Sequence, residues 1–124
     1  MSSKSKLGQE GEELACKYLQ ENGHVILEKN YRSGHLEIDI ISFDNKGLHF
    51  VEVKTRVNPV SKPEEAVNAI KQKRLAKAAQ QYLRKSKNPL IFDAECFFDI
   101  IAISFCGNKM ELKYFPEAFI PMYY

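Results

Sequence analysis

The chain has little cysteine: Cys16, Cys96 and Cys106 are an odd set without a CxxC pair. They fit neither a disulfide framework nor the ligand spacing of a zinc site, and read instead as reduced core thiols. Long hydrophobic runs are also missing. Met1 to Lys6 leads directly into a charged, periodic segment with no apolar leader core, and no later stretch is long enough to cross a bilayer. The expectation is a cytoplasmic chain with no membrane partner. Internal repeats and low-complexity tracts are absent. The net charge of +2 does not by itself point to a nucleic-acid partner. What the chain does have is an ordinary soluble composition, 44% hydrophobic and 27% charged. Its 124 residues suffice for one core and not two, so 1–124 reads as a single domain.

Periodicity orders the elements. Leu7, Leu14, Ala15, Tyr18 and Leu19 recur at helical spacing between Lys6 and Asn22, with acids early and Gly23 as a stop. Val25 to Tyr31 and Leu36 to Phe43 read as strands separated at Ser33-Gly34. Asp44-Asn45-Lys46-Gly47 has turn composition, and Leu48 to Thr55 completes a hairpin. Ser61-Lys62-Pro63-Glu64 has the form of a capping box. The helix expected from it carries Val67, Ile70, Ala78 and Tyr82 inward and runs to about Lys85. The almost continuously apolar Cys96 to Ile103 is expected as the central strand, and Met110 to Phe115 as a half-exposed edge strand. The strand–helix–strand unit implies a parallel crossover, and the short earlier connections imply antiparallel neighbours. The fold class is α/β: a mixed sheet flanked by helices, in the order α-β-β-β-α-β-β.

A turn centred on Asn45-Lys46 sets Phe43 opposite Leu48, and so Asp39 opposite Glu52 and Glu37 opposite Lys54. Strand alternation then puts all four side chains on one face. Two directly opposed carboxylates lie about 5 Å apart at Cβ and repel by about 3 kcal/mol at an effective dielectric of ~20. A shared proton, a nearby lysine or a divalent cation such as Mg²⁺ (or Mn²⁺) would relieve that repulsion. With Lys54 alongside, the set suits phosphodiester hydrolysis. Asp39, Glu52 and the Val53 carbonyl would hold the metal, and Lys54 would orient or deprotonate the attacking water. An exposed hairpin face with a cross-strand Glu–Lys pair has the same spacing.

Asp39, twelve intervening residues, and Glu52-Val53-Lys54 resemble the signature of the restriction-endonuclease-like PD-(D/E)xK superfamily. Further motifs resemble the bacterial YraN family: Gly8-Gln9-Glu10-Gly11-Glu12 with Ala15, Asn30-Tyr31-Arg32, Glu37-Ile38-Asp39, and Phe50 through Arg56. The resemblance continues through Ala66-Val67, Lys71, Arg74-Leu75 and Phe98-Asp99. It covers most of the chain, and the ordered series is more specific than any single motif. Ile38 stands where the superfamily name expects proline, and Leu36 where close relatives usually have glycine.

The resemblance implies a nuclease fold similar to archaeal Holliday-junction resolvases, with DNA, including branched DNA, as the expected partner. Those relatives act as dimers, but no segment here identifies a homodimer face. They also carry a glutamate on the first helix. The motif match makes that residue Glu12, which flanks the apolar stripe while Glu13 points away. Its expected role is metal binding, directly or through water, or alternatively an interaction with the helix dipole.

Seven basic residues and no acid lie between Lys71 and Lys87, a candidate phosphate-binding surface or simply a solvated face. Lys71 and Arg74 fall on the inward half of that helix and either reach the site or snorkel to solvent. Arg56 extends the Glu52–Lys54 face toward a substrate backbone or caps the strand end. His24, His35 and His49 share no ligand spacing and read as incidental. Asp99, within an apolar strand, reads as a structural hydrogen-bonding group. A nucleic-acid-binding module of the same fold without turnover is the alternative to a nuclease.

Overall fold

Ser5 begins the first helix, α1 (Lys6–Glu21), by accepting a hydrogen bond from the Gly8 N–H at 3.1 Å. In the computed structural model, which describes residues 5–57 and 68–119, α1 is followed by β1 (Val25–Ser33), β2 (Leu36–Phe43) and β3 (Leu48–Arg56). The helix α2 (Ala69–Lys85) and the strands β4 (Cys96–Cys106) and β5 (Lys109–Phe115) complete the order. The α-β-β-β-α-β-β succession and the mixed sheet are those expected from the sequence.

The sheet runs β1-β2-β3-β4-β5. Every neighbouring pair is antiparallel except β3 and β4, which the α2 crossover makes parallel. The middle strand is β3. The apolar β4 lies one place away from the centre, between β3 and the edge strand β5, which corrects the central position expected for it. Its neighbours and the layers above and below still cover both its faces.

The helices lie on opposite faces. Ala15, Cys16 and Leu19 of α1 pack on Ile40, Val51, Ile101 and Ile103. On the other side, Leu75, Ala78, Ala79 and Tyr82 of α2 pack on Ile41, Leu48, Phe50, Phe98 and Ile100. Fully buried residues such as Leu19, Ile40, Ile41 and Ile101 each contribute about 1.5–3 kcal/mol relative to exposure.

The second helix departs from expectation at its start. The described helix opens at Asn68, whose extended backbone and side chain, accepting from the Lys71 N–H at 2.9 Å, form the cap. The Ser61–Glu64 capping box and Val67 lie outside the described residues. Ile70, expected to face inward, is 67% exposed, because it sits in the first turn, ahead of the buried stretch that begins at Leu75. All three cysteines are free; Cys16 is buried, whereas Cys106 is exposed and belongs to no core. No helix among the described residues is long and apolar enough to cross a membrane.

Candidate functional site

The hairpin register is the one the turn dictates. Phe43 pairs with Leu48, and the ladder continues to Ile40 opposite Val51. Beyond that point the Asp39 carboxylate takes over, accepting the Val53 N–H at 2.8 Å. The cause lies one strand away. In β1, Asn30 has a left-handed φ of 50°, a conformation Asn tolerates better than most residues. The flanking pairs are Lys29 with Ile40 and Tyr31 with Ile38, which places Asn30 level with Asp39. Ile40 faces α1 and Ile38 faces α2, although strict alternation would put both on one side. Both strands therefore reverse their facing at this step.

The expectation that Glu37, Asp39, Glu52 and Lys54 extend one regular pleat is corrected accordingly. Glu37 is paired with Arg32 of β1, whose Nη2 lies 3.9 Å from its Oε2. Lys54 Nζ instead lies 3.6 Å from Glu52 Oε1.

Beyond the reversal, a cleft of about 620 Å³ opens at the N-terminal ends of both helices. Its walls include Glu12, Glu37, Asp39, Glu52, Val53, Lys71 and Arg74. Glu12, Asp39 and Glu52 are each buried. Gly11 sets the position of Glu12: α1 approaches β3 so closely that a Cβ on Gly11 would collide with Thr55 Oγ1. Arg74 reaches the cleft from the exposed side of α2, whereas Arg56 is not part of its walls.

Electrostatically the cleft is tense. Burial and the Asp39 carboxylate both push Glu52 above the usual carboxylate range. Lys71 answers this with Nζ 2.7 Å from Glu52 Oε1. Burial acts to lower the Lys71 pKa, but attraction to Glu52 and Asp39 and hydrogen bonding to Glu52 and Lys54 together outweigh it, so the ammonium is held above its ordinary value. Burial and the neighbouring Lys71 push Lys54 below its ordinary value. Glu12, Asp39, Glu52 and the Val53 carbonyl are oxygen donors of the kind a hard cation such as Mg²⁺ or Mn²⁺ takes, although the three carboxylates do not all lie within 4.8 Å of one another.

At the closed end of the same hairpin lies a cluster the sequence reading passed over. His24 and His49, both buried, lie 4.6 Å apart between ring centroids with their planes tilted by 56°, and both face Asp44. Among the described residues, these three form the one His, Cys, Asp or Glu trio whose ligand atoms all lie within 4.8 Å of one another. His49 lies on the face opposite Glu52. Asp99 is hydrogen-bonded as expected, accepting from Tyr114 Oη and the Glu117 N–H. The missed signal was the register Ser42 with His49, combined with the turn position of Asp44.

Fold and cleft define an α/β protein whose mixed sheet splits at one end around buried carboxylates and lysines. An uncharacterised protein family, UPF0102, matches residues 11–103. The chain belongs to that family, the one otherwise called YraN. Among its relatives, a UPF0102 protein of Geobacter metallireducens is 41% identical over 91% of both chains. One from Bacteroides thetaiotaomicron is 38% identical over 98% of both. A solved structure, Pyrococcus furiosus SfsA in complex with Ca²⁺, is similar at 16% identity with a TM-score of 0.42. It covers 89% of this chain, which spans 62% of that one; at that distance its bound ion says nothing about this cleft.

Proposed function

We propose that this protein is a divalent-metal-dependent nuclease that hydrolyses phosphodiester bonds in DNA. The observation that carries the reading is the convergence on one cleft of buried Glu12, Asp39 and Glu52 with Lys71, while Lys54 contacts Glu52. Opposed buried carboxylates cost free energy that a hydrated surface pair would not. A cation is the natural counterweight.

Asp39, Glu52 and the Val53 carbonyl would hold Mg²⁺ or Mn²⁺, with Glu12 as a further carboxylate acting directly or through water. When bound, such an ion polarises a phosphate oxygen and acidifies a water. Lys54, with its depressed proton affinity, orients the attacking water and can accept its proton. Lys71 and Arg74 bind the phosphate, and Lys71 must leave Glu52 to do so. Val53 has a second role: its N–H fixes the Asp39 carboxylate, so the ligand need not be ordered during the reaction. Branched DNA as the substrate and a homodimer as the working unit follow from the family resemblance, and a cytoplasmic location from the charged N-terminal segment; all three belong to the same proposal.

The test is a panel of duplex, single-stranded, flap and four-way DNA incubated with Mg²⁺ or Mn²⁺. Cleavage of at least one member that is lost with chelator and in Asp39→Ala is expected. Equal cleavage by wild type and Asp39→Ala, or none by either, would reject the enzyme.

One observation favours a second reading, a binding module without turnover. Lys71 already neutralises Glu52 at 2.7 Å, and Lys73, Arg74, Lys77, Arg84, Lys85 and Lys87 are exposed along and just beyond α2. Salt-sensitive binding that weakens in Arg74→Ala, without cleavage of any substrate, would select it.

A further inference from the structure

The hairpin's closed end presents an arrangement that the proposed nuclease chemistry does not use. His24 precedes β1, Asp44 opens the β2–β3 turn, and His49 lies on β3. The fold brings all three to one point. His24 Nε2 lies 3.4 Å from Asp44 Oδ2, and His49 Nε2 lies 2.8 Å from Asp44 Oδ1. Both imidazoles therefore aim the same nitrogen at one carboxylate, from either side.

Their other nitrogens are held. His24 Nδ1 is 2.9 Å from Ser42 Oγ, and His49 Nδ1 is 2.6 Å from Asp99 Oδ2. Asp99 is itself fully buried and fixed by Tyr114 and the Glu117 N–H. A ring whose Nδ1–H is anchored on a hydroxyl or carboxylate presents its Nε2 lone pair outward, which is how metal-binding histidines are oriented. Where such a lone pair points at a carboxylate, positive charge is required between them; at His24 the Ser42 hydroxyl can instead donate to Nδ1 and free Nε2–H for Asp44. At His49 the requirement is acute, because it lies between two carboxylates while a neutral imidazole has one N–H to give. Either a second ring proton or a cation must stand beside Asp44.

We propose that His24, Asp44 and His49 form a second metal site, a three-ligand centre for a transition-metal ion of the Zn²⁺ class. Mixed imidazole and carboxylate donors suit Zn²⁺, whereas the all-oxygen cleft at the other end suits Mg²⁺ or Mn²⁺. A cleft of about 280 Å³ adjoins the cluster, walled also by Tyr18, Asn22 and Lys46, and leaves room for solvent or an exogenous group as a fourth ligand. The ion would tie the end of α1, the hairpin turn and, through Asp99, the β4–β5 edge into one unit. It competes with the proton now required near His49 Nε2, so binding releases a proton rather than creating an unpaired charge.

The test uses the full ¹⁵N-labelled chain, cleared of metal by chelator and desalting, then titrated with ZnCl₂ in excess Mg²⁺. Histidine ring ¹H–¹⁵N resonances are followed throughout. The rings of His24 and His49 are expected to shift together and saturate at a single equivalent, while His35, which lines the carboxylate cleft, reports separately on ion binding there. Ser42→Ala, which loosens only the anchor of His24, is expected to weaken binding by about 10–100-fold. If His24 and His49 stay unmoved through a large excess of Zn²⁺, or if only His35 and the carboxylate cleft respond, the site is overturned. The wild-type titration decides this even where a variant folds poorly, and it is independent of whether the protein cuts DNA.

Discussion

The two ends of the β2–β3 hairpin solve the same electrostatic problem with different chemistry. At the closed end the strands are tightly paired, and Asp44 is held by the turn N–H groups of Lys46 and Gly47 and by His49. Its counter-charges are imidazoles, themselves oriented by Ser42 and Asp99. At the open end the ladder gives way after Ile40 and Val51. The Asp39 carboxylate takes a main-chain N–H, and the counter-charges are flexible ammonium groups on Lys54 and Lys71. A rigid end with nitrogen donors suits a resident ion. An open end with displaceable lysines suits an exchangeable cation and an incoming phosphate. On the proposed function, regular pairing and its interruption, on one pair of strands, would separate an anchoring role from a reactive one.

Removing the amine at the open end should have the largest effect. Lys54→Met is expected to slow single-turnover DNA cleavage by about 10²–10⁴-fold, the range for loss of a general acid–base group, with substrate affinity little changed. The Zn²⁺ response of His24 and His49 should be untouched. An equal loss at both ends would mean that they are not separable.

Next in size is the reversal that opens the cleft. Asn30→Val places a β-branched residue at a left-handed φ and should cost about 1–2 kcal/mol in denaturant unfolding, whereas Asn30→Gly retains the conformation. Cleavage should fall in the valine variant even under conditions where it is fully folded, because Asp39 loses its aim. Equal stability and activity in both variants would show that the kink is incidental.

The smallest effect sharpens the contrast through pH. Glu52 is held above its ordinary pKa by burial and by Asp39. Its contribution to stability is therefore fully present below the unfolded value of about 4.3 and is lost as pH rises through the raised folded value. A cation on Glu52 offsets that loss, so the rise in Tm produced by Mg²⁺ should be larger at about pH 8 than at about pH 5. Asp39→Asn should flatten this dependence.

The sequence made the succession of elements legible because each carries its own periodicity, and the Asp44–Gly47 turn set the register of the pairs from Ile40 to Phe43. The acidic residues of the cleft were named from the hairpin and from the family motifs. The reversal at Asn30 and Asp39 was hidden, since alternation assumes an unbroken pleat and a left-handed asparagine on a neighbouring strand leaves no local pattern. For that reason Glu37 was set against Lys54, although the regular β2–β3 pairing stops at Ile40 and Val51 and does not extend to them. The histidine cluster was hidden for a different reason. Residues 24, 44, 49 and 99 share no spacing and meet only when the antiparallel register of β2–β3 and the parallel register of β3–β4 act together. Ile70 was misplaced because a helical period does not reveal where a helix outruns the surface it covers.

Crystals grown with Mn²⁺ and measured at its absorption edge test the central claim most directly. The account predicts an anomalous peak between Asp39 and Glu52, within reach of the Val53 carbonyl, with the Lys71 ammonium drawn off Glu52. Lys71 still seated on Glu52 with no peak beside it, or manganese found solely among His24, Asp44 and His49, would contradict it.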